Sequence, residues 1–208
     1  MEESIVPSPV TRLLMLGFGV MFFITFAQEM MATGLVSAIL GGSKATLAQL
    51  GGMDRELVYQ GEIWRLATAA LLHANALHLV LNAWALWILG GLCEQIFGSM
   101  FTGAIFWGSA IMGAILSCSM GTELSVGSSG GVFGCLFALS ALGLRDYRYI
   151  PNAVRRDVKW LTLFGMLNLA LGWWIPMIDN AAHLGGTLMG FALGLCGPKL
   201  EDLEWEKQ

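Results

Sequence analysis

The chain has 208 residues, of which 56% are hydrophobic and only 12% charged, with a formal net charge of −4. That balance excludes an ordinary soluble domain and points to an integral membrane protein. It also excludes a nucleic-acid binder, because no basic stripe with interleaved aromatic residues is present.

Apolar runs of about 20 residues, enough to cross roughly 30 Å of hydrocarbon, lie near 12–31, 74–93, 100–120, 126–144, 159–176 and 180–197. The segment ahead of the first carries Glu2 and Glu3 where a signal or transit peptide carries basic residues, so the first run is expected to be a retained span. Residues 32–73 hold GG pairs at 41 and 51 and the charges Lys44, Asp54, Arg55, Glu56, Glu62 and Arg65, which predicts a structured loop and not a second core. The second run places His78 and Asn82 four apart on one helix face and ends at Glu94. The fourth opens on SVGSSGGVFG, residues 125–134, where Ser128 and Ser129 stand among Gly127, Gly130, Gly131 and Gly134. The sixth carries His183 followed by Gly186, Gly190 and Gly194. The expected architecture is one all-α, polytopic bundle of six transmembrane helices, with the long loop between helices one and two.

Orientation follows from the basic residues. With the N-terminus inside, cytoplasmic segments hold Arg12, Arg145, Arg148, Arg155, Arg156, Lys159, Lys199 and Lys207, and only Lys44, Arg55 and Arg65 lie outside. Both termini are therefore expected to be cytoplasmic. Counting outward from the charged cytoplasmic ends sets Ser129, His78 and His183 each about four residues below the outer surface, and Asn82 about eight. Helices two, four and six thus bring these polar groups to one depth, although a single Ser or His in a span is usually a packing or anchoring residue.

The three glycines of helix six lie within about 60° of His183, so its smooth face is also its histidine face. If it packs on the glycine-rich entry of helix four, a hydroxyl and an imidazole come within hydrogen-bond reach. Serine is a weak nucleophile until a base takes its proton, and His is the usual partner. Ser129 at a helix N-terminus also has free backbone N–H groups for a developing oxyanion, with His78 and Asn82 as further donors.

These residues resemble those of the rhomboid intramembrane serine proteases, over roughly residues 50–195. GEIWR, with Trp64 and Arg65, is similar to the family's loop-one motif; HANALHLVLN presents His73, His78 and Asn82 at the family spacing. Gly90, Glu94 and Gly98 match its G-x3-E-x3-G stretch, Gly127 to Gly130 its G-x-S-G, and NAAHLGGTLMG its final-helix motif with His183, Gly186 and Gly190. The resemblance implies a rhomboid-like bundle with a Ser129–His183 dyad, and an oxyanion hole of His78, Asn82 and the Ser129 amide. It further implies cleavage of transmembrane protein substrates within the lipid bilayer, near their extracytoplasmic end. Substrate would enter beside helix five, where Trp173 and Trp174 also fit an interfacial aromatic belt. A compact bacterial type in the inner membrane is the expected setting. Phe133 departs from the pattern, standing where well-known members have Tyr.

Rival assignments remain at this stage. Ser128 is an alternative nucleophile or a helix-entry cap. Asp179 is either a triad acid for His183 or, with Asn180 as the alternative, the cap of helix six. Glu94, at the opposite face, reads as a structural or interfacial carboxylate, and His73 as a loop-one or cavity-edge residue or a supporting one. Cys93, Cys118, Cys135 and Cys196 fall at differing depths, so no disulfide is expected. No metal-ligand or phosphate-binding motif is present, and no cofactor or metal is expected. Two other classes stand beside the protease: a catalytically silent client-binding protein of the same fold, and a small membrane transporter using the polar residues as a path.

Overall fold

The computed structural model describes residues 9–149, 152–175 and 178–198. Pro9 opens helix α1 (Pro9–Thr33), at the position where its missing N–H is no loss and its fixed φ suits the first turn. The next two amides, of Val10 and Thr11, donate to the Glu94 carboxylate at 3.1 and 2.9 Å. An anion on the exposed N–H groups of a helix N-terminus is favourable in both charge and hydrogen bonding. At 25 residues, α1 is about 37 Å long.

The segment after α1 is structured throughout: α2 (Leu35–Leu40), α3 (Lys44–Gln49), β1 (Met53–Asp54), α4 (Arg55–Tyr59) and α5 (Arg65–Thr68) follow in order. Ser43 and Asp54 cap α3 and α4 by accepting from the amides of Thr46 and Leu57. β1 pairs antiparallel with β2 (Leu124–Ser125), Met53 opposite Ser125. This two-residue ladder is the one departure from a purely helical reading among the described residues. Strands so short leave no alternation in sequence, yet this one ties loop one to the backbone that leads into Ser129.

The apolar runs near 74–93 and 100–120 are two limbs of α6 (Ala76–Ser119), which meet at Gly98 with φ 75° and ψ 162°. No atom lies within 4 Å of where a Cβ would sit on Gly98. The left-handed φ, not crowding, is what calls for glycine there. α1 and α6 are long and apolar enough to cross a membrane, and α7 (Ser129–Arg145) is a shorter apolar helix. α8 (Asn152–Gly172) and α9 (Asn180–Cys196) complete the chain. α8 begins well before the expected boundary at 159, so Arg155, Arg156 and Lys159 ride on its first turns and are not in a connecting loop. From Asn152 to Lys159 no Gly or Pro interrupts the helix, and polar helix formers extend it past the apolar run.

α7 is the central element, with Gly130 to Val132 and Gly134 to Leu142 all buried. α9 runs parallel to it at backbone contact. A methyl group added at Gly186, Gly190 or Gly194 would fall on the carbonyls of Gly130, Gly134 and Ala138 respectively. The second limb of α6 closes in equally tightly, since a Cβ on Gly113 would come within 2.5 Å of the Ala182 carbonyl oxygen. At the far end of this seam, the Arg145 guanidinium donates to the carbonyls of Gly194, Leu195 and Gly197 at 3.1, 3.0 and 2.8 Å. It thereby satisfies carbonyls that the end of α9 leaves without intrahelical donors.

The cysteines correct one expectation. Cys93 and Cys135 are not at different levels: the Cys93 thiol lies 3.5 Å from the Cys135 carbonyl oxygen. The depth count took every helix as perpendicular to the bilayer, whereas packed helices cross at angles and tilt. All four cysteines are nonetheless free thiols.

Gly190→Leu should cost about 3 kcal/mol or more through overpacking against the Gly134 backbone. Gly108→Ala should be neutral or slightly stabilising, because its Cβ would meet only Leu193 and Met189 side chains at 3.5 and 3.7 Å and alanine favours the helix. Unfolding midpoints of the two variants in detergent, compared with wild type, test both signs.

Candidate active site

Two short segments deliver the principal groups. Ser129 is the first residue of α7, and the chain reaches it through β2 and Gly127, whose φ is 127°. His183 lies one turn into α9, whose start is set by Asp179 accepting from the Ala182 amide at 3.0 Å. Because α7 and α9 run parallel at glycine contact, both side chains emerge at the same end of the seam. The His183 Nε2 to Ser129 Oγ distance is 2.8 Å, a full hydrogen bond.

Phe133, one turn after Ser129, stacks on the His183 ring with centroids 4.3 Å apart and planes inclined by 16°. The ring plane is therefore held by an aromatic face. His183 Nδ1 has no hydrogen-bond partner among the described residues. Asp179 is engaged elsewhere: one oxygen caps α9 and the other accepts from Ser117 Oγ. Among the described residues no carboxylate takes the orienting position that a triad requires.

Beside this pair lies a second Ser–His contact. Ser128 and His73 are fully buried, and His73 Nε2 is 3.3 Å from Ser128 Oγ. His73 belongs to the turn before α6, outside the spanning helices. Burial, and secondarily the neighbouring His78, lowers its pKa to about 3, so the ring is neutral and meets Ser128 as one dipole meets another. The side chain of Ser128 makes no cap bond to α7; it is tied to His73 instead. That bond anchors the residue whose carbonyl is in the same peptide as the Ser129 N–H.

His78 stands edge-on to His73, with ring centroids 5.2 Å apart, and covers Gly127 so closely that a Cβ there would lie 2.7 Å from the imidazole Cε1. Glycine at 127 is thus required twice, by its φ and by this ring. Asn82 is buried one turn further along α6, and its Nδ2 donates to the His78 carbonyl at 2.9 Å. One amide hydrogen is committed to its own helix and the second remains for another acceptor. A small cavity bordered by Ala70, Ala110, Ser125, Gly127, Gly130 and Ala182, about 20 Å³ in volume, has room for one water molecule.

Other expected residues sit further back. Trp64 and Arg65 build loop one: the buried Arg65 guanidinium pairs with Glu62 at 2.7 Å, donates to the Ala48 and Gly52 carbonyls, and lies 4.6 Å from the Trp64 ring centroid. Gly130, Gly186 and Gly190 act through the α7–α9 approach. Glu94 binds the start of α1. The sequence reading passed over two buried carboxylates, Asp146 and, in α1, Glu29, which is completely shielded from solvent. A lone acidic residue inside the first apolar run was the available signal, since such groups are costly in a span unless satisfied.

Comparison with known proteins bears on the family. The family model described as Rhomboid domain matches residues 60–199. The chain is 40% identical over 159 residues to RHOMBOID-like protein 5 of Arabidopsis thaliana, covering 75% of this chain and 51% of that protein. It is 36% identical over 163 residues to Rhomboid protease GluP of Bacillus subtilis (strain 168), covering 76% of this chain and 32% of that one. It is also 31% identical over 152 residues to Inactive RHOMBOID-like protein 8 of Arabidopsis thaliana, covering 72% of this chain and 43% of that one. The chain spans about half the length, or less, of these relatives. The matched region runs from loop one to the end of α9 and contains both members of the Ser129–His183 pair: the chain belongs to the rhomboid family of integral membrane proteins.

Proposed function

We propose that this protein is an intramembrane serine endopeptidase in which Ser129 is the nucleophile and His183 the general base, acting on transmembrane segments of other membrane proteins. The observation that carries the reading is the 2.8 Å contact between Ser129 Oγ and His183 Nε2. In this mechanism Nε2 takes the hydroxyl proton as Oγ attacks the scissile carbonyl carbon, and the resulting imidazolium returns the proton to the leaving amine. The Ser129 N–H, the His78 imidazole and the free Asn82 amide hydrogen receive the oxyanion. Water then opens the acyl-enzyme with His183 again as base. Phe133 supplies a stacking surface for the imidazole and has no hydroxyl to donate.

Ser129 is preferred to Ser128 on exposure and distance. Ser128 is fully buried and its histidine is 3.3 Å away, whereas Ser129 is partly open and closer to its own. Substrate is expected to arrive beside α8, whose packing is mainly against α7 and more lightly against α9. Its Trp160, Phe164 and Leu167 side chains are exposed, as are Trp173 and Trp174 just beyond it.

In this reading the chain is one membrane domain crossing six times, the two limbs of α6 counting separately. The distribution of basic residues favours both termini on the cytoplasmic side and Ser129 toward the opposite face. The bacterial inner membrane is the compartment proposed, with the Bacillus relative in its favour and the plant relatives against it. A catalytically silent, client-binding role has one observation for it, the relative named as inactive; the Ser–His contact stands against it. No observation favours a transporter.

A fluorophosphonate probe should label the purified protein at Ser129. Ser129→Ala and His183→Ala should each reduce labelling and cleavage of a single-span substrate by about 10³-fold or more, while Ser128→Ala keeps labelling. Label on Ser128, or label surviving in Ser129→Ala, would reassign the nucleophile. Asp179→Asn should retain most of the cleavage rate, because an asparagine oxygen still caps α9; near-total loss at unchanged stability would mean that the carboxylate orients His183.

A further inference from the structure

Glu29 lies four residues before the end of α1, and its carboxylate is surrounded by donors. Oε1 accepts from Thr33 Oγ1 at 2.8 Å and Ser37 Oγ at 3.2 Å. Oε2 accepts from the Ser43 amide at 3.0 Å, Ser43 Oγ at 2.9 Å and Thr46 Oγ1 at 2.6 Å. A charge with no solvent contact persists only where its lone pairs are met in this way. Five donors from α1, α2 and the start of α3 are thereby gathered on one group.

The Oε2 side leads to the active site by a short route. Ser43 follows Gly42, whose amide donates to the Ala74 carbonyl at 2.9 Å. Gly41, with φ 134°, presses on the same peptide, and a Cβ there would strike the Ala74 carbonyl oxygen. Ala74 stands between His73, which holds Ser128, and Asn75, whose side chain caps α6 by accepting from the His78 amide at 2.9 Å. The turn that aims both histidines is therefore braced from behind by residues 41–43. Glu29 holds Ser43 through two of its hydrogen bonds.

We propose that Glu29 is a positioning residue for the oxyanion side of the site, acting through Ser43, Gly42 and Ala74 on His73 and His78. This rests on the serine-protease reading for its effect on rate, but not for its effect on structure. Glutamine at position 29 keeps the volume and loses half of the acceptor capacity. The expectation is a loosened 41–44 segment and a 73–79 turn that no longer sits at one geometry, with Ser129 and His183 still joined by the α7–α9 seam.

Two readouts on the full-length protein in detergent or nanodiscs test this. Hydrogen exchange by mass spectrometry should show Glu29→Gln and Ser43→Ala raising exchange about tenfold at residues 41–44 and 73–79, with α7 and α9 unchanged. Ser37→Ala, which cuts only the Oε1 side, should leave residues 73–79 as in wild type. Fluorophosphonate labelling of Ser129 should slow about tenfold in the first two variants at temperatures well below their unfolding midpoints, since a small misplacement of the site is enough for that. Exchange that rises uniformly, or only within residues 33–46, would overturn the proposal, as would an unchanged labelling rate in a destabilised Glu29→Gln protein. Absence of labelling in wild type would sink the protease reading instead, and the exchange pattern would still decide the role of Glu29.

Discussion

The approach of two glycine faces governs this molecule. Gly186, Gly190 and Gly194 on α9 meet Gly130, Gly134 and Ala138 on α7 at spacings that leave no space for a Cβ on α9. Apolar side chains gain little by leaving lipid for one another, so association in a bilayer depends on close packing and on hydrogen bonds, and small residues permit both. The repeat of four on both helices sets their register as well as their separation. Once register is set, Ser129 and His183 meet at one end and Arg145 reaches the α9 carbonyls at the other. The seam is bonded at both ends and in van der Waals contact between them.

A second frame holds the part of the chain that does not span. Two carboxylates secure α1: Glu94 takes the amides of Val10 and Thr11, and Glu29 gathers the hydroxyls and amide of loop one. Arg65 does the same within loop one, collecting the Ala48 and Gly52 carbonyls. β1 with β2 then ties that loop to the approach to Ser129. Charged side chains here organise backbone by serving several polar groups at once, which is the condition for burying them at all. The consequence is that Ser129 is positioned from the α9 side by packing and the histidines of the 73–78 turn from the loop-one side by hydrogen bonds.

Among the described residues no carboxylate orients the His183 imidazole. Asp179 is occupied by the helix it caps and by Ser117, and the imidazole of His183 is held by the face of Phe133 and by Ser129 itself. A flat stacking contact fixes the plane of a ring without selecting its tautomer. A Ser129 hydroxyl that donates to Nε2 goes with the proton on Nδ1, which is the tautomer that the proposed mechanism requires.

Much of this was legible in the residue order. Composition identified the membrane as solvent, and apolar runs bounded by charge located the long helices to within a few residues, α8 excepted, because a helix in hydrocarbon satisfies its own backbone and needs only length and apolarity. The period of four in glycine, on the face that also carries His183, announced which side of the last helix would be approached. What the order of residues left open were the contacts that depend on where several segments meet: Ser128 bonded to His73, Asp179 to Ser117, Cys93 level with Cys135, and Glu29 of α1 gathering the donors of loop one. Each is a hydrogen bond or packing contact between residues 42 to 62 positions apart, or a convergence of several donors on one acceptor. No local period encodes such meetings; helix tilt and loop path create them, and both are settled only when the whole chain packs.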